Sequence, residues 1–154
     1  MWFSRKPAVK LPPQDAAGGA AVAVPGQITT KSRGDAAEAA ARAFLVGAGL
    51  RWIESNYRTP GRGGGEIDLV MRAPDGTLVF VEVRHRSTAT HGGAGASISP
   101  VKQRRIVFAA THYLLRFASP PPCRFDVVLV QGNRVGGQGL EPVLEWLPAA
   151  FDAS

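Results

Sequence analysis

Residues 61–86 read G-R-G-G-G-E-I-D-L-V-M-R-A-P-D-G-T-L-V-F-V-E-V-R-H-R. Two short apolar runs flank Pro74-Asp75-Gly76, a tripeptide that favours a tight turn, so the stretch predicts a β-hairpin. Side chains two apart in a strand share a face. Glu66, Asp68 and Val70 therefore point one way, and Ile67, Leu69 and Met71 the other. In the second strand Phe80, Glu82 and Arg84 share a face opposite the apolar stripe Val79, Val81 and Val83. A turn centred on Asp75 sets Asp68 opposite Glu82 and Glu66 opposite Arg84.

Directly opposed like charges destabilise a sheet, so this pairing asks for a compensating cation. Two readings stay open on the hairpin alone. Mg²⁺ takes one or two carboxylates together with waters and substrate phosphates, and the pair meets that requirement. A solvated polar face balanced by Arg84 and neighbouring arginines also accounts for it.

The chain has 154 residues, enough for one domain with its own core. No apolar run approaches the roughly 20 residues of a membrane-spanning helix, so no membrane association is expected. The net charge of +6 favours a polyanionic partner, and nucleic acid is the first candidate. A single cysteine, Cys123, excludes an internal disulfide and a four-thiolate zinc site, which makes a reducing cytoplasm the simplest compartment. Cys123 itself reads as a small buried residue.

Outward from the hairpin, residues 1–30 form a basic stretch rich in Ala, Gly and Pro without periodic apolar positions, expected to be a disordered tail. Pro12 and Pro13 interrupt any secretory pattern there. Residues 31–154 are expected to form a single domain. Residues 35–48 predict a helix whose stripe is Ala37, Ala41, Phe44, Leu45 and Ala48, with Asp35 favouring its N-terminus and Gly49 ending it. Glu38 falls at the edge of that stripe, either reaching a site at the core boundary or pairing with Arg42 one turn on.

Leu50 to Tyr57 predicts a strand, and Arg58 to Gly65 a basic glycine-rich loop. There Arg58 and Arg62 either meet phosphate or belong to a plain flexible connection. The loop after the hairpin carries Arg86 and His91, and neither His85 nor His91 has the spacing of a zinc motif. Ser99-Pro100 opens a second helix with a capping residue and a proline at the first position, running to about Phe117. Lys102 heads its core-facing stripe of Ile106, Ala109, Tyr113 and Phe117, while Arg104 and Arg105 point away, where they could contact nucleic-acid backbone. Arg124 to Val130 predicts an apolar strand in which Asp126 is set for a structural pair with Arg124 or for supporting the site. Gly132-Asn133 and the glycines beyond predict a turn, and Val143 to Leu147 a final edge strand. The order α-β-β-β-α-β predicts an α/β fold, a mixed sheet with flanking helices.

The segments G-E-I-D-L-V, F-V-E-V-R-H-R-S, S-P-V-K-Q-R-R and R-F-D-V-V fall in the same order as in the YraN family, which the chain resembles from Lys31 to Phe151. That family belongs to the restriction-endonuclease-like, PD-(D/E)XK superfamily and is similar to Holliday-junction resolvases. The resemblance implies that Asp68 and Glu82 are the metal-binding acids, that residue 84 holds the superfamily's lysine position, and that Glu38 is the helix-borne acid of resolvase-like members. It implies Mg²⁺, with Mn²⁺ as a substitute, in phosphodiester hydrolysis, and by analogy a homodimer. The chain departs from the pattern at Arg84, because arginine stays protonated and cannot act as a general base. Lys102 is then the candidate to supply the missing ammonium. The expected function is a nuclease acting on branched or otherwise structured DNA. The alternatives are a nucleic-acid-binding protein of the same fold with reduced or lost catalysis and a structural or adaptor module.

Overall fold

The computed structural model describes residues 29–86, 98–131 and 142–153. Residues 1–28 of the expected tail, His91 and the turn at Gly132-Asn133 lie outside the described residues, whereas Thr29 and Thr30, also expected in the tail, cap and begin α1. The elements are α1 (Thr30–Gly47), β1 (Arg51–Arg58), β2 (Glu66–Arg72), β3 (Leu78–His85), α2 (Pro100–Leu114), β4 (Cys123–Gln131) and β5 (Val143–Phe151), the strands forming one sheet in the order β1-β2-β3-β4-β5. This is the mixed sheet flanked by helices of a restriction-endonuclease-like fold, with one strand added at the edge. Neighbours are antiparallel except β3 and β4, which pair in parallel from Leu78↔Cys123 to His85↔Val130. A parallel pair cannot be closed by a tight turn, and α2 lies in the crossover between them.

The hairpin forms in the expected register, from Arg72↔Leu78 to Leu69↔Val81. Its turn is closed by the Gly76 N–H donating to the Ala73 carbonyl at 2.9 Å and the Thr77 N–H to Asp75 Oδ1 at 3.0 Å, with Gly76 at φ 91°. Leu78 to Val81, in the middle strand, are all buried, as expected where helices cover both faces of a sheet.

Each face has its own core. Ala37, Ala41 and Leu45 of α1 pack on Leu69, Met71, Val79, Val81, Val128 and Val130. On the other face Ile106, Ala109, Ala110 and Tyr113 of α2 pack on Ile67, Val70, Leu78, Phe80, Phe125, Val127 and Leu129. Aromatic edges join there, Tyr113 meeting both Phe80 and Tyr57 edge-on at 5.7 and 5.1 Å between ring centres.

Several expectations are corrected. Helix α1 begins at Thr30, capped by Thr29 Oγ1 accepting the Ser32 N–H at 3.1 Å, so Asp35 lies beyond the first turn. Phe44 is 40% exposed, because the seam follows the small residues Ala37 and Ala41 that let the helix approach the sheet. Ala48 is exposed beside it. Cys123 is exposed at the first position of β4, directly after the prolines. β5 continues past Leu147 to Phe151.

Candidate metal and nucleic-acid site

The site lies where three strands pass side by side. Pairs Ser55↔Leu69 and Tyr57↔Ile67 bracket Asn56 opposite Asp68, and one step beyond Leu69↔Val81 brings Glu82 next to Asp68 on the other side. Face alternation slips at this point: Ile67 packs under α2, although its odd-numbered neighbours Leu69 and Met71 pack under α1. The Asp68 side chain accepts the Val83 N–H through Oδ2 at 2.8 Å, so a carboxylate oxygen takes the place of a backbone acceptor.

Asp68 and Glu82 lie close enough for each carboxyl to shift the acidity of the other. Burial and the Asp68 carboxylate push the Glu82 carboxyl up to about 8, opposed by Lys102. Burial also raises Asp68, opposed by the Val83 N–H, by Glu82 and by Lys102. A buried and a half-buried carboxyl placed side by side cannot both ionise readily without added positive charge. Lys102, in the first turn of α2, provides part of it: its Nζ lies 3.3 Å from Glu82 Oε1. Ser99 Oγ fixes that turn by accepting the Lys102 N–H at 3.2 Å.

Glu38 approaches from α1. Its Oε2 accepts from Asn56 Nδ2 at 3.1 Å, and burial followed by repulsion from Asp68, Asp35 and Glu66 raises its carboxyl against that hydrogen bond. The expected partner Arg42 stacks instead on Trp52, 3.5 Å from the ring centre. Arg84 is half-buried two residues beyond Glu82, beside Leu129. Glu66, expected opposite Arg84, pairs with Arg58 across β1 and β2 at 3.4 Å.

The remaining basic residues spread outward. Arg62 is exposed in the loop after β1, Arg104 and Arg105 are exposed on α2, and Arg86 pairs with Glu145 of β5 at 3.0 Å. The glycine loop does approach a backbone closely, since a Cβ on Gly65 would lie 1.9 Å from the Arg105 carbonyl oxygen. Asp126 is fully buried and bonds Arg124 Nε, Trp146 Nε1 and the Ala149 N–H, a structural arrangement. His85 donates to the Arg33 carbonyl at 3.1 Å, tying β3 to α1.

Two features escaped sequence reasoning. Tyr57 and His112 are joined by a hydrogen bond between hydroxyl and Nδ1, bringing together residues 55 positions apart. Asn56 is the second, and its presence in I-E-S-N-Y, a run otherwise suited to a strand, was a usable signal because strands disfavour Asn.

Among the described residues no three His, Cys, Asp or Glu side chains gather as a ligand set. The donor set is thus the Asp68–Glu82 pair, with Glu38 in electrostatic reach. Paired oxygen donors with excess negative charge fit Mg²⁺, which keeps most of its waters and needs few protein ligands.

A five-stranded mixed sheet between two helices, with an acid pair on adjacent strands, defines the class: a restriction-endonuclease-like α/β protein. The profile of Uncharacterised protein family UPF0102 matches residues 37–130, and the chain belongs to that family, the YraN family of this superfamily. It is 79% identical over 154 residues to a UPF0102 protein of Polaromonas naphthalenivorans (strain CJ2), spanning 100% of both chains. It is 72% identical over 158 residues to one of Polaromonas sp. (strain JS666 / ATCC BAA-500), again over 100% of both. A third, from Albidiferax ferrireducens, is 62% identical over 125 residues, 81% of this chain and 91% of the relative. The matched segment contains Glu38, Asp68, Glu82, Arg84 and Lys102. Among the described residues no helix is long and apolar enough to cross a membrane.

Proposed function

We propose that this protein is a metal-dependent nuclease that hydrolyses phosphodiester bonds in DNA, with branched or structured DNA as its substrate class. The observation that carries the reading is the Asp68–Glu82 carboxyl pair with the Lys102 ammonium 3.3 Å from one member. Asp68 and Glu82 would hold Mg²⁺ or Mn²⁺, which when bound polarises a phosphoryl oxygen and lowers the pKa of an attacking water. Glu38 adds negative charge from α1. Lys102 restrains Glu82 and orients the attacking water, while Arg84 steadies charge developing on the phosphate. Arg58, Arg62, Arg86, Arg104 and Arg105 contact the DNA backbone and set its position without reading sequence. A cytoplasmic setting and a homodimer, by analogy with resolvases, complete the reading.

One observation favours a second reading. Arg84 stands where the superfamily carries its lysine, so a nucleic-acid-binding protein without catalysis is the alternative. The two separate on labelled linear, single-stranded and four-way-junction DNA, each incubated with Mg²⁺, with Mn²⁺ and with chelator. The nuclease reading expects cleavage that requires the metal, is lost in Asp68→Ala and Glu82→Ala, and is abolished in Lys102→Met. Binding without cleavage in every condition would leave the second reading standing, and unchanged cleavage in Lys102→Met would remove that residue from the mechanism.

A further inference from the structure

Asn56 adopts φ 55° in the middle of β1, a left-handed conformation that non-glycine residues seldom take inside a strand. The twist is not correcting register, since Ser55↔Leu69 and Tyr57↔Ile67 continue across it without a shift. It is not secured by a local side-chain contact either. The Asn56 amide reaches 18 residues back in the sequence to donate to Glu38 Oε2 at 3.1 Å. Residues held in sparsely populated backbone regions persist where the surroundings over-determine them, and they concentrate at functional sites. Here the surroundings are the site itself, because Asn56 sits in the same row of the sheet as Asp68 and Glu82.

We propose that Asn56 is a positioning residue, which holds the Glu38 carboxylate of α1 in electrostatic reach of the Asp68–Glu82 pair so that its charge strengthens the pair's hold on a divalent ion. The inference rests on the metal-dependent reading above and assigns a residue which that reading does not use. A neutral amide suits this role, because it supplies a donor to one oxygen of Glu38 without adding a cation that would compete with the metal. Glu38 is otherwise one of several side chains on an exposed helix flank, and a residue anchored in the sheet sets its direction. Donors that orient the groups around a metal in this way typically contribute about 10–100-fold to metal affinity.

The test is Mn²⁺ binding to the full-length protein, followed by calorimetry and by electron paramagnetic resonance. The variants are Asn56→Gly, Glu38→Ala and the double variant, with Asp68→Ala as reference. Glycine accepts the left-handed backbone, so Asn56→Gly keeps the strand and removes only the side chain. Its melting temperature is expected to match or exceed that of the parent, with Mn²⁺ affinity weaker by about 10–100-fold. The double variant is expected to bind no more weakly than Glu38→Ala, because both substitutions interrupt one interaction. Parental affinity in Asn56→Gly, multiplied losses in the double variant, or collapse of the fold in Asn56→Gly would each overturn the assignment. Equal Mn²⁺ binding by the parent and Asp68→Ala would overturn the metal reading and this inference together.

Discussion

Among the described residues Glu82 is the carboxyl whose acidity its surroundings move furthest. Its carboxyl, pushed up from 4.5 to about 8 by burial and by Asp68, holds a proton in the metal-free folded protein at pH values where the unfolded chain has lost it. The folded state therefore binds more protons across that window, and stability falls as pH rises. This contribution is fully present below about pH 4.5, declines through the window and is gone above about pH 8. Urea denaturation of the metal-free protein is expected to follow that slope, and Glu82→Gln to flatten it. The acid pair was legible in the sequence because strand alternation and a turn at Asp75 suffice to oppose Asp68 and Glu82. Glu38 was legible as the polar edge of a helical stripe. Asn56 showed only as an odd residue within a strand, and neither its bond to Glu38 nor the Tyr57–His112 bond was legible, because both depend on how β1 docks against partners distant in the chain.

Elements owe their placement to a few close contacts. The loop after β1 folds back through Gly65, whose N–H donates to Thr59 Oγ1 at 2.9 Å, and Gly65 then lies against the Arg105 carbonyl with no room for a side chain. The obstacle is helix backbone, which cannot rotate aside. Gly65→Ala is therefore expected to destabilise by about 1–3 kcal/mol through overpacking. It should also displace α2 enough to weaken the Lys102–Glu82 contact, which urea titration and the cleavage assay would both register. The start of α2 was readable from Ser99-Pro100, since cap and proline act locally. The start of α1 was not: Thr29 caps it ahead of a basic, glycine-containing turn, and the alanine-rich segment that follows dominates propensity. The length of β5 was also hidden. Pro148 argues for an end there, yet the strand continues because Asp126, across a register shift in β4, accepts the Ala149 N–H at 2.9 Å.

For the whole molecule, Asp126 joins the added edge strand to the rest of the sheet through Arg124, Trp146 and Ala149. Removing a buried charge partner from such a network exposes the remaining groups to an unpaired interior, so Asp126→Ala is expected to cost about 3–5 kcal/mol in guanidinium denaturation. Its folded fraction should keep its Mn²⁺ affinity, since none of these partners belongs to the acid pair. The layered order of helices and strands could be read from periodicity alone, because each element carries its own apolar pattern. The parallel pairing of β3 with β4 fixes something else. Asp68 and Glu82 meet across a hairpin whose strands are neighbours in the chain, whereas Lys102 arrives only after α2 has crossed the sheet to let β4 dock. Local pairings form before distant ones. Refolding is therefore expected to bring the two acids together before Lys102 arrives, and stopped-flow refolding of the parent should be faster with Mg²⁺ than with chelator.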